Sequence, residues 1–160
     1  MCIRDSSKPM TVAQGGASGT VSTADGYAPG LLIEVQILVS DQKTTVLSGS
    51  NSGVIPNQAP AVSNVQSAGG SGHTLSISAS VADPEADGIA SVRLYYREQG
   101  AGFSSKNMTL SGGRYSATIG PSDGISVSAV LEFKIVAADS YAAQAESSVY
   151  SAQLGNAAPT

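Results

Sequence analysis

The chain repeats itself. Residues 6–11, "SSKPMT", return as residues 104–109, "SSKNMT", 98 positions later, and that offset then runs without a gap for 36 residues. Ser6, Ser7, Lys8, Met10 and Thr11 recur as Ser104, Ser105, Lys106, Met108 and Thr109. Gly15, Ser18, Thr20, Asp25 and Gly26 recur as Gly113, Ser116, Thr118, Asp123 and Gly124, and Glu34, Ile37 and Asp41 as Glu132, Ile135 and Asp139. Between these 13 identities, apolar residues exchange for apolar ones: Val12 for Leu110, Val21 for Ile119, Val35 for Phe133. A packing pattern is therefore repeated along with the residues. After one added residue, "NQAP" at 57–60 meets "NAAP" at 156–159. A period of this length exceeds that of solenoid units and matches a complete small domain of roughly 100 residues, so each repeat must hold its own core. The expected organisation is the C-terminal half of one repeat (7–56), one complete repeat (57–155) and the start of a third (156–160).

Within the complete repeat the apolar residues alternate in short runs bounded by turn residues, and no window shows the spacing of an amphipathic helix. "AVSNVQ" opens the unit after Pro60, and "SAGGSG" reads as a loop. "HTLSISASV" places Leu75, Ile77, Ala79 and Val81 on one face and Thr74, Ser76, Ser78 and Ser80 on the other, the signature of a half-buried strand. After the turn "DPEADG", Ala90, Val92, Leu94 and Tyr96 are expected inward, with Ser91, Arg93, Tyr95 and Arg97 outward. "SSKNMTL" reads as one short strand, and the turn "SGG" leads to "RYSATI", with Tyr115, Ala117 and Ile119 inward. "VLEFKIVAAD" turns Leu131, Phe133, Ile135 and Ala137 to the core and Glu132 and Lys134 out, and a last strand runs through "QAESSVYSAQL". Seven strands in one unit suit a two-sheet β-sandwich. Residues 7–56 lack counterparts of the first three strands, so Ile33, Val35, Ile37 and Val39 are expected to be partly exposed beside an open strand edge.

The stretches "NQAPAVSNV", "SASVADPEADGIASVRLYYR", "MTLSGGRYSATI" and "LEFKIVAAD" resemble the immunoglobulin-like, fibronectin type III-like repeats of bacterial secreted and cell-surface proteins. The resemblance covers nearly all of the complete repeat and the half that precedes it. It implies an all-β chain of seven-stranded immunoglobulin-like sandwiches in tandem, one complete and one truncated. The core Trp and inter-sheet cysteines of antibody-type domains are absent, since the chain has no Trp and one Cys, which favours the type III-like or bacterial variants. Such repeats serve as spacers and adhesin stalks, as adhesive modules binding glycan or protein, and as accessory parts of secreted hydrolases. The resemblance implies an extracellular setting, no enzymatic activity and no cofactor, with neighbouring repeats of the same chain as the partners.

Charge and composition narrow the field further. With 8 Lys and Arg against 12 Asp and Glu, the net charge is −4, and there is no basic surface to neutralise phosphates, so nucleic acid is not an expected partner. The most apolar stretch, "LLIEVQILV", is interrupted by Glu34 and Gln36 and falls far short of the roughly 20 apolar residues that span a bilayer. "MCIRDS", residues 1–6, matches the translation of a transposon end used to prepare sequencing libraries and is expected to be foreign to the protein. Neither Met1 as a start nor Cys2, the single cysteine, is then native, and no thiol chemistry remains.

Few residues invite chemistry. Asp83, Glu85 and Asp87 cluster in one loop, and calcium favours such oxygen-rich loops, but the alternate ligand spacing and closing bidentate Glu of a dedicated site are missing. A turn, with Pro84 fixing φ and Asp87-Gly88 supplying the special backbone, accounts for the same residues. Arg93, Tyr95 and Arg97 share an outward face that could stack on a sugar or anchor a protein; a cross-strand pair between Arg and Glu132 is the simpler account. His73 is the only histidine, and no local sequence pattern nominates the nucleophile and orienting group that catalysis beside it would need. "GAGFSS" falls short of a dinucleotide fingerprint, and "NMT" at Asn107 is a formal glycosylation sequon whose counterpart in the first repeat is Pro9. No catalytic, cofactor-binding or metal-binding set is nominated.

Overall fold

The computed structural model describes residues 7–13, 16–41, 43–70, 72–85 and 88–154. Residues 1–6 with Cys2, Asp87, and the third-repeat residues 156–160 lie outside the described residues. The described chain is all-β apart from two single 3-10 turns, and it divides into two compact units, Met1–Pro56 and Asn57–Thr160.

The first unit contains β1 (Thr11–Ala13), β2 (Gly16–Ser18), β3 (Leu32–Val35), β4 (Leu38–Ser40), β5 (Thr45–Leu47) and β6 (Asn51–Val54). They pair antiparallel as three two-stranded ribbons, β1 with β2, β3 with β6 and β4 with β5. Ile55 is the only buried side chain among its described residues.

The second unit contains β7 (Ala61–Gly70), β8 (Thr74–Ala82), β9 (Ile89–Glu98), β10 (Ser104–Asn107), β11 (Thr109–Ser111), β12 (Arg114–Ile119), β13 (Val130–Asp139), β14 (Gln144–Glu146) and β15 (Tyr150–Gln153). Two antiparallel sheets result. One has the order β11-β12-β8-β7; the other has β10-β9-β13, with β14 and β15 laid end to end along the far edge of β13. Leu75, Ile77 and Ala79 of β8 and Ile119 of β12 meet Val92, Leu94 and Tyr96 of β9 and Leu131, Phe133, Ile135 and Ala137 of β13 in one core. Two sheets closed over a shared apolar layer make a β-sandwich.

Four local readings of the sequence are corrected. "QAESSVYSAQL" is two strands, β14 and β15, interrupted at 147–149, and with the division of "SSKNMTL" the described residues of the unit form nine strands where seven were expected. "SAGGSG" is strand as far as Gly70, not loop. A bulge at Asn64, whose φ is 50°, shifts the register from Ser63↔Ser80 to Gln66↔Ser78, and pairing then continues to Gly70↔Thr74. The bulge also turns Val62 and Val65 to the same core, which two residues three apart in a regular strand cannot do. "SSKNMTL" is two strands in different sheets. The chain crosses from one to the other at Met108, whose side chain is buried and whose N–H bonds Val92 O. Ala90 is exposed and Ile89 packs on the core in its place, because the register between β9 and β13 slips at Ala138/Asp139.

The hydrogen bonds of residues 7–56 recur in residues 104–154. Lys8 Nζ donates to Thr20 O at 2.8 Å and Asp25 Oδ1 at 2.7 Å; Lys106 Nζ donates to Thr118 O at 2.9 Å and Asp123 Oδ1 at 2.8 Å. Each Asp also accepts a backbone N–H at the start of its 3-10 turn, from Ser22 and Gly120, and each turn ends on a left-handed glycine, Gly26 or Gly124. Ser48 exchanges bonds with Ile37 through its N–H and Oγ, and Ser147 does the same with Ile135. Asp41 accepts the N–H groups of Lys43 and Thr44, and Asp139 those of Tyr141 and Ala143. The second turn is one residue longer, which is where the added residue of the sequence alignment falls.

Candidate functional site

The outer face of the five-stranded sheet carries a cluster of charged and aromatic side chains. Alternation in β9 turns Arg93, Tyr95 and Arg97 away from the core, and Glu132 and Lys134 of β13 stand opposite Arg97 and Tyr95. Arg97 is committed within the sheet: its Nε and Nη2 each reach Glu132 Oε2 at 2.7 Å, Nη1 donates to Ala101 O, and the guanidinium lies 4.3 Å from the Phe103 ring centroid. Lys134 pairs with Glu146 Oε2 at 2.7 Å and sits 5.8 Å and 5.9 Å from the rings of Phe103 and Tyr95. Arg93 donates to Ser105 Oγ at 2.8 Å. The cations that a ligand would seek are spent on neighbouring strands, which agrees with the simpler reading of this face.

A second cluster closes the end of the sandwich where residue 57 enters. Asp139, 2% exposed, accepts Tyr141 N–H at 2.8 Å and Ala143 N–H at 2.9 Å on Oδ1, and Asn57 Nδ2 at 3.2 Å on Oδ2. Gln58 N–H donates to Glu85 Oε2, and Glu85 N–H to Asp83 Oδ1. Ser140 binds Gly88 O through both its N–H and its Oγ, and Gly88 has a φ of 106° that disfavours any larger residue. Three parts of the chain are thus knitted together: the entry at 57–58, the residues Asp83, Glu85 and Gly88, and the turn 139–143. Asp83 and Glu85 spend oxygens on backbone N–H groups, Asp87 lies outside the described residues, and no group of three or more metal-ligating side chains is assembled among the described residues. Asn57 Oδ1 and Asp83 Oδ2 are buried without a hydrogen-bond partner among the described residues. Sequence reasoning missed Asp139 as the centre of this cluster; its identity with Asp41 across the repeat was the available signal.

The remaining candidates are scattered. His73 occupies the turn between β7 and β8 with a φ of 58°. "GAGFSS" turns at Gly100, whose φ is 86°, and enters β10 with no helix after it. Asn107 is the exposed last residue of β10. An open depression on the other sheet is lined by Gln66, Ser67, Ala68, Ser76 and Ser78, and the Arg114 guanidinium beside it is spent on Gln66 Oε1, Ser78 Oγ and Asn64 O.

The perturbed carboxylates serve turns. A hydrogen bond from Lys8, then one from Ser22 N–H, lowers the pKa of Asp25. The N–H groups of Lys43 and Thr44 lower Asp41, and Ser126 N–H lowers Glu98. Among the described residues no helix is long and apolar enough to cross a membrane.

No family model matches the chain, and no curated protein matches it. Among solved structures it is similar to domains d3–d4 of the rat CD45 extracellular region, at 14% identity and a TM-score of 0.48 over 96% of this chain and 79% of that one. It is similar to a DUF3823 family protein from Bacteroides ovatus, at 14% identity and a TM-score of 0.48 over 93% and 86% of the two chains. BhCBM56, solved as a Br derivative, follows at 13% identity and a TM-score of 0.43 over 56% and 88%.

Proposed function

We propose that this chain is a stretch of a tandem array of immunoglobulin-like, fibronectin type III-like sandwiches, acting as a non-catalytic spacer or stalk in a secreted or surface-attached protein. The observation that carries the reading is the Lys–Asp pair, with its shared carbonyl and 3-10 turn, recurring at Lys8–Asp25 and Lys106–Asp123. When β14 and β15 count as one strand, the first, second, fifth and sixth strands of the unit share one sheet and the third, fourth, seventh and last the other, an order that suits the type III-like topology with the three-residue β11 added at an edge.

The mechanism is geometric. Each bead fastens its own entry segment, here through Asn57 to Asp139 and Gln58 to Glu85, and Pro56 and Pro60 limit backbone freedom around it. Hydroxyl-rich outer strand faces keep the beads wetted, and charges paired within the sheet leave little to recruit ligands. The DNA flanking this gene segment tests the reading. Further units at the same spacing, an export signal and an anchoring or catalytic module are expected; an intracellular chain with one repeat pair overturns it.

A further inference from the structure

Residues 31–55 of the first unit already hold the hydrogen-bond frame that β13, β14 and β15 hold in the second, yet the faces differ in burial. Leu131, Phe133, Ile135 and Ala137 are 0%, 2%, 0% and 0% exposed, whereas of their counterparts Ile33 is half-buried and Val35, Ile37 and Val39 are 39%, 37% and 63% exposed. The difference has a visible cause. In the second unit β9 pairs with one edge of β13 while β8 packs across its inner face; among the described residues of the first unit, β3 and β4 are paired on one edge only, with β6 and β5.

We infer that the apolar face and open edge of β3 and β4 are the seat of a three-stranded segment of the same make as residues 57–103, joined ahead of residue 6. Its third strand pairs with β3 and β4 in the register that β9 takes on β13, so that Glu34 meets an arginine as Glu132 meets Arg97, and Ile37 stands opposite a leucine as Ile135 stands opposite Leu94. Side-chain volume constrains the occupant further. Val35 replaces Phe133 and leaves room for a residue at least as large as Tyr96 opposite it, while Val39 replaces Ala137 and calls for one no larger than Val92. The inference rests on the tandem reading above and adds to it the identity of the segment and its register.

Ile37 spends its N–H and C=O on Ser48, so by strand alternation the N–H groups of Leu32, Glu34, Gln36 and Leu38 point to the open edge. The experiment is amide hydrogen exchange by NMR on the chain, and on the chain with a copy of residues 57–103 in place of residues 1–5. The four amides are expected to exchange on the order of a hundredfold more slowly in the extended chain, approaching their counterparts at Val130, Glu132, Lys134 and Val136. Ile37→Asp in the extended chain is expected to abolish that gain and leave the second unit protected. Unchanged exchange in the extended chain, a gain that survives Ile37→Asp, or concentration-dependent protection of the same amides in the unextended chain overturns the inference; the last outcome assigns the seat to a second copy. Flanking DNA without further repeats sinks the tandem reading and the placement of the segment ahead of residue 6, while the exchange result alone decides whether the face accepts such a segment in that register, so the two failures are distinct.

Discussion

Asp139 shows what one buried carboxylate does in a sandwich of this size. Its two oxygens take two N–H groups of its own turn and the amide of Asn57, and removing it takes the acceptor from three part-buried bonds. Asp139→Ala is expected to destabilise the second unit by about 3 kcal/mol in urea unfolding. Asp41 accepts the matching turn N–H groups but is exposed, so Asp41→Ala is expected to leave that transition unmoved within about 0.5 kcal/mol. A titration reports on a different residue. Glu98 accepts Ser126 N–H, which lowers its folded-state pKa below the ordinary 4.5. Its contribution is therefore full above pH 4.5 and is lost as pH falls through the lowered value. Melting temperature against pH is expected to fall more steeply in acid for the natural chain than for Glu98→Gln; parallel curves would remove Glu98 from the account.

At the scale of elements, Lys106 ties β10 to the 3-10 turn after β12, joining the edge of one sheet to the end of the other. The pair is partly exposed, with 41% and 16% of the side chains accessible, so Lys106→Met is expected to cost only about 1 kcal/mol in the same urea assay. A cost several times larger would mean that the turn itself comes undone. The elements also show which parts of the fold are legible in sequence. β8 and β13 alternate without interruption, and their inward residues are the ones the pattern nominates. Legibility fails where the backbone breaks the period of two. Asn64 inserts a residue into β7 and Ala90 one into β9, and the Ser, Ala and Gly beyond Asn64 carry no apolar signal to follow. Met108 marks a sheet crossing that local pattern cannot express, because both halves of "SSKNMTL" look like strand. On the outer face, Arg97 with Glu132 was readable from cross-strand logic. The linkage of Asn57 to Asp139 spans 82 residues and was not.

For the whole molecule, the two units should differ in kind of stability more than in degree. The second closes two sheets over a core in which Ile77, Leu94, Ile119, Leu131 and Ile135 are all 0% exposed, the arrangement that makes unfolding all-or-none in a small domain. The first has hydrogen-bonded ribbons with Leu32, Leu38, Val39, Val46 and Val54 each about 60% exposed, and two-stranded ribbons without a covered face are marginal in water. A fragment of residues 57–155 is therefore expected to melt as a cooperative monomer at the midpoint of the main calorimetric transition of the full chain. The calorimetric and van't Hoff enthalpies of the fragment should agree, and residues 7–56 should add little excess heat in the full chain. A broad melt of the fragment would place part of its cooperative unit before residue 57. The register argues otherwise: every strand of the second sandwich pairs with a partner from its own unit, from Ala61 opposite Ala82 to Gln153 opposite Val130, so the cooperative unit begins where the entry segment is fastened at Asn57 and Gln58.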